Sequence, residues 1–104
     1  MILSEEDIPA IPLITELNQN FPNPFNPSTN ISFAVASESY VRIDIYNIRG
    51  QRIATLLDEE MPTGYHNIIW HGIDDNDRKV SSGVYFFRMI ADDFVSVRRM
   101  ILLK

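Results

Sequence analysis

The sequence predicts an all-β fold, a two-sheet sandwich of about seven antiparallel strands. Three observations carry this expectation. From Leu17 onward the apolar residues recur with period two, and helical spacing at i, i+3, i+4, i+7 is nowhere sustained for three turns. Turn-forming residues interrupt the pattern at the intervals a sandwich requires. The chain has 104 residues, 45% of them hydrophobic, enough for one core and too few for two domains.

Residues 1–16 carry Glu5, Glu6, Asp7 and Glu16, no Lys or Arg, and both Pro9 and Pro12. This acidic, proline-containing stretch reads as a linker, with the domain spanning residues 17–104. The first strands fall near Thr15 to Asn20 and Ile31 to Val35. Val41, Ile43 and Ile45 then alternate with Arg42, Asp44 and Tyr46, a strand with one face in the core and the other toward water. Ile48-Arg49-Gly50 supplies a turn, because Gly50 can take positive φ, and residues 51–57 form the partner strand. Met61-Pro62-Thr63-Gly64 turns the chain into Tyr65 to Trp70, where Ile68 and Trp70 share a face and Trp70 is the largest expected core contributor. Asp74 to Lys79 is a polar surface loop, and Ser81-Ser82-Gly83 leads into the next strand. Val84 to Ala91 and Val95 to Leu103 flank Asp92-Asp93 as a hairpin, whose loop is open to including Phe94. Tyr85, Phe87 and Met89 share one face there, with Met100 and Leu102 opposite.

Composition removes several function classes. Nine Lys+Arg against fourteen Asp+Glu give a net charge of −5, the wrong sign for gripping phosphate backbones. With no cysteine there is no disulfide framework, thiol nucleophile or Cys-ligated zinc. No apolar run approaches the ~20 residues of a membrane helix. The N-terminus lacks the basic and apolar segments of a secretory signal, so the chain reads as either cytoplasmic or excised from something longer.

The candidate chemical sites are weak. Asp74, Asn76 and Asp77 invite a calcium reading, but the sixth position from Asp74 is Lys79 and the twelfth is Tyr85, where an EF-hand needs Gly and Glu. His66 and His71, five apart, fall on opposite faces of a continuous strand and read as structural. Ser81 and Ser82 lack the strained turn and base that nucleophilic catalysis needs. Asn30-Ile31-Ser32 matches a glycosylation acceptor that arises often by chance. No catalytic, cofactor or metal residue is therefore expected. Arg98, Arg99 and Lys104 give the last seven residues three positive charges and no acid, either to guard an edge strand or to present a recognised terminus.

Phe21-Pro22-Asn23-Pro24-Phe25-Asn26-Pro27 is of another kind. Three prolines in six residues remove backbone donors and fix φ, so this run cannot lie in a central strand. It reads as a stiff cover over a sheet edge, pinned by Phe21 and Phe25, and less readily as a ligand for another protein.

Leu17-Asn18-Gln19-Asn20 followed by this run and Ser28-Thr29 resembles the opening of the C-terminal sorting domain of the type IX (Por) secretion system. The similarity continues through Tyr46 to Gln51, Leu56-Leu57, Gly64, Trp70-His71-Gly72, Ser82-Gly83-Val84-Tyr85 and Arg99 to Lys104. It departs in turn chemistry: His71 stands where the family often has Asp, and Gly is common near Asn76-Asp77 and at Asp92-Asp93. The resemblance implies an immunoglobulin-like sandwich with no chemistry of its own. It also implies an upstream cargo joined through residues 1–16, and export through the periplasm to the cell surface or medium. The implied partners are the outer-membrane translocon and a sortase-like protease. The residues expected to be read are Phe21 to Pro27, Gly83, Tyr85, Arg98, Arg99 and Lys104. Two competing readings are an accessory carbohydrate- or protein-binding module, with Tyr40, Tyr46 and Tyr65 lined up on one face, and a self-assembling domain related to flagellar hook-capping proteins.

Overall fold

The computed structural model describes residues 11–104, in seven strands and no helix: β1 (Glu16–Leu17), β2 (Thr29–Val35), β3 (Ser39–Asn47), β4 (Arg52–Met61), β5 (Gly64–Trp70), β6 (Gly83–Ala91) and β7 (Phe94–Leu102). Two antiparallel sheets, ordered β1-β2-β5 and β4-β3-β6-β7, make an immunoglobulin-like β-sandwich. Relative to the constant-type immunoglobulin partition, the fourth strand has moved beside the third. Residues 1–10 of the expected linker lie outside the described residues. Of its remainder, Glu16 pairs with Ala34 in β1, and the Thr15 hydroxyl accepts from the Ala36 amide at 3.0 Å.

The core is built from one face of each sheet. Leu17, Ile31, Phe33, Val35 and Trp70 meet Val41, Ile43, Ile45, Tyr85, Phe87, Met89, Met100 and Leu102, all buried. These are the period-two positions, so alternation in sequence becomes a dry layer between sheets. Trp70 sits between Phe25 and Tyr85, ring centroids 5.7 and 5.3 Å away, and its indole N–H donates to the Ile73 carbonyl at 2.8 Å. Burying that ring is worth about 4–6 kcal/mol at ~25 cal/mol per Å².

Strand bounds differ from expectation where local charge misleads. β4 runs on through Asp58, Glu59 and Glu60 to Met61, because an edge strand can point carboxylates at water while pairing with Tyr40 to Arg42. β1 is shorter than expected: its regular ladder ends at Leu17, after which the Asn18 amide still donates to the Ser32 carbonyl at 3.0 Å and Phe21 bridges to Asn30. β7 starts at Phe94, since Ala91 pairs with Phe94 across a two-residue turn in which Asp92 takes φ +51°. The Gly50 turn forms as expected, with φ +81° and the Gly50 amide donating to the Asn47 carbonyl at 2.9 Å.

Asp44 is the main surprise in packing. Alternation places it on the watery face of β3, yet it is 1% exposed. β3 is an inner strand, and Arg42 Nε (2.8 Å) and the Thr55 hydroxyl (2.7 Å) donate to the Asp44 carboxylate, which Arg88 approaches at 3.8 Å. Three neighbours thus cover it and supply the partners a buried charge requires.

Candidate functional site

The segment after β1 crosses the edge of β7 and is stitched to it. Gln19 Nε2 donates to the Arg99 carbonyl at 2.7 Å, and the Ile101 amide donates to Asn23 Oδ1 at 3.0 Å. The Phe25 amide donates to the Ile101 carbonyl at 2.9 Å and the Leu103 amide to the Phe25 carbonyl at 3.0 Å, a parallel bridge between Phe25 and Leu102. Arg98 Nε closes the upper end by donating to the Leu17 carbonyl at 2.8 Å. The proline run is therefore an edge cover, as its lost donors demand: Asn23 and Phe25, which lack nothing, make the bonds, and Pro22, Pro24 and Pro27 face outward.

Two buried polar side chains hold the run in shape. Asn20 and Thr29 are 3% and 2% exposed, and each donates to the Pro22 carbonyl, at 3.2 and 2.8 Å. At the far end Gly72, φ +71°, lets the run approach: a Cβ there would lie 3.0 Å from the Pro27 carbonyl oxygen. A cavity of about 400 Å³ remains between the run, the Gly72 turn and the end of β7, lined by Pro27, Ser28, His71, Leu102 and Lys104 among others.

The predicted recognition residues divide by burial. Pro22, Asn23, Pro24, Asn26, Pro27, Arg98, Arg99 and Lys104 are exposed along one side of the molecule, and Gly83 opens β6 opposite Leu102 at the same end. Phe21 does not pin the run. It is 78% exposed, because its bridge to Asn30 turns it onto the solvent face of the three-stranded sheet, and Phe25 alone is buried. Tyr85 is likewise a core residue, packed on Trp70, with its hydroxyl donating to the Ser81 carbonyl at 2.6 Å. It shapes the surface from beneath and offers none of its own.

The other candidates are occupied structurally. Asp74 Oδ1 accepts from the amides of Asn76 (2.9 Å) and Arg78 (3.0 Å), closing the loop as an Asx turn. Asp75 accepts from the Thr55 amide at 3.0 Å and from Arg52 at 2.9 Å, tying the loop to β4; the amide bond foremost, and then Arg52, hold its carboxyl below the ordinary aspartate range. Among the described residues no three ligating side chains gather into a metal site. His66 stacks on Phe33 and hydrogen-bonds the Pro62 carbonyl, whereas His71 pairs with the Ser28 hydroxyl at 3.0 Å. The three tyrosines do not line one face: Tyr40 and Tyr46 lie on β3 and Tyr65 on β5, in the other sheet. Arg88 moreover covers the Tyr46 ring at 4.9 Å, and Tyr40 OH donates to Asp58.

The family description "Secretion system C-terminal sorting domain" matches residues 19–103, which begin at the first stitch to β7 and end at the last. The chain belongs to that family. This sorting domain also superposes on solved structures from Porphyromonas gingivalis. Dimeric latent PorU matches with a TM-score of 0.71 at 19% identity, over 86% of this chain and 9% of PorU. PorZ, described as an essential bacterial surface component of the type-IX secretion system, matches with a TM-score of 0.59 at 14% identity, over 83% of this chain and 11% of PorZ. The chain thus spans about a tenth of either protein, and these likenesses concern the fold. No curated protein matches it. As a type IX sorting domain it directs its cargo to the cell surface or medium.

Proposed function

We propose that the type IX translocon of the outer membrane reads this sorting domain as a folded object, on the surface that the proline run and β7 form together. The cargo is joined upstream of Leu17 through the acidic linker, where a sortase-like protease separates the two. The domain itself performs no chemistry. One observation carries this reading: the four stitches between residues 19–25 and 99–103 unite the two ends of the family's span into a single rigid surface. Phe21, Asn23, Asn26, Gly83, Arg98, Arg99 and Lys104 are its contact residues, and Phe25 and Tyr85 hold them in place.

The test is a fusion of the full chain to the C-terminus of a periplasmic reporter enzyme, expressed in a bacterium that carries the secretion system. Reporter activity on intact cells, removable by added protease and absent from a translocon-deficient strain, is the expected result. A reporter confined to the periplasm of the competent strain rejects the reading. Deleting the last seven residues is a poor probe, since Met100 and Leu102 are fully buried and their loss unfolds the sheet.

A further inference from the structure

β7 ends the order of its sheet, and the proline segment covers only part of its outer edge. Backbone groups alternate sides along a strand, and the stitched atoms belong to Arg99, Ile101 and Leu103. The pairing of β6 with β7 is regular from Gly83–Leu102 to Ala91–Phe94, so Val95 and Val97 also point their N–H and C=O groups outward. Among the described residues no strand pairs with them. With the Arg99 amide they present five main-chain groups in one row.

The side chains on this stretch do nothing to discourage pairing. Val95 and Val97 are 58% and 55% exposed on the outer face of the sheet, beside half-buried Ile90 on β6. The opposite edge of the same sheet is guarded by Asp58, Glu59 and Glu60 on β4. Bare valines on an open edge are a template for another strand, and natural edges normally carry a charge or proline there. The charge lies just beyond: Arg98 and Arg99 flank the window and form no ion pair with any described residue.

We propose that Val95 to Arg99 of β7 is a strand-addition site, which takes an extended acidic segment of the translocon carrying apolar residues against the two valines and carboxylates against Arg98 and Arg99. This rests on the reading given under Proposed function and names where on the surface that recognition occurs. Main-chain bonds would supply the grip and the arginines the choice of partner. A second copy is the poorer occupant. Two β7 edges paired about Val97 would bring four guanidinium groups along one seam against only two carboxylates within diagonal reach, those of Asp93 at the turns.

The outward N–H of Val97 makes the idea testable without disturbing the fold, because proline is tolerated where an edge strand's N–H faces water. In the reporter fusion, Val97→Pro should lower the surface-exposed reporter at least tenfold, while Val97→Thr, which keeps the N–H but loses part of the apolar contact, should lower it no more than about threefold. The melting temperature of each purified variant reports folding. If Val97→Pro melts well below the parent, the double variant Val95→Lys, Val97→Lys takes its place, since both side chains are exposed and lysine guards edges in folded sheets. Normal export of a folded Val97→Pro or double-lysine fusion overturns the strand-addition site and leaves the sorting reading standing. Retention of the unsubstituted fusion rejects that reading and this site with it. A parent domain that sediments as a dimer, and a Val97→Pro variant that does not, would give the edge to a second copy and also overturn the proposal.

Discussion

Asn20 donates to the Thr29 hydroxyl at 2.9 Å, inside the protein, and that hydroxyl donates onward to the Pro22 carbonyl. The proline run is thus closed at its start by side chains as well as by the Phe21–Asn30 bridge, since Pro22 and Pro24 have no backbone donor to offer. Thr29→Val keeps the shape but leaves Asn20 and the Pro22 carbonyl short of a partner. It should cost about 2 kcal/mol, read as a lowered urea midpoint with an unchanged slope. Thr29→Ser should cost less.

The two phenylalanines of the run should separate cleanly in the same measurement. Phe25, 2% exposed against Trp70, should lose about 3–5 kcal/mol on Phe25→Ala. Phe21→Ala, at a side chain 78% exposed, should stay within about 0.5 kcal/mol. A loss of export in a stable Phe21→Ala fusion would therefore report contact with the machinery.

Gly72→Ala meets two obstacles at once, a φ of +71° and a Pro27 oxygen 3.0 Å from the new Cβ. We expect a loss of about 1–3 kcal/mol. Amide chemical shifts should change most around Ser28 and His71, where the run must back away.

Stability should depend on pH through Asp75. The Thr55 amide and Arg52 hold its folded carboxyl below the ordinary value of 3.8, against a smaller opposing effect of burial. Its contribution is then fully present above that value and is lost as pH falls through the lower folded one. Melting curves of the parent and Asp75→Asn should differ most near neutral pH and converge as the pH falls below the ordinary aspartate range. The pair is solvent-exposed, so the neutral-pH difference should be about 1 kcal/mol or less, and smaller in high salt.

Much of this architecture is legible in the sequence because strand alternation and burial share a period of two. Ile43 and Ile45, or Phe87 and Met89, announce which face they line. Asp44 shows the limit of that rule: alternation names its side of β3 but not that Arg42, Thr55 and Arg88 close over it, since those neighbours come from three strands. The expected strand stops at residue 57, short of Asp58 to Glu60, because a run of charge gives no local sign of pairing, whereas an edge strand gives it a place in a ladder. The stiffness of the proline run follows from its residues, but its docking side does not. Asn23 and Ile101 are 78 positions apart, and no local pattern couples them. For the same reason Phe21 and Phe25 look equivalent in sequence and differ completely in burial. Tyr85, marked as a contact by resemblance, is buried for a reason that its own period-two register already contained.

The seam between the proline run and β7 joins material translated early in the domain to its last strand. A polypeptide released prematurely by the ribosome would hold the prolines but have nothing to fasten them to. A domain selected by that surface would thereby certify that its own last strand had been made, and cargo carrying half a domain would travel without a valid ticket.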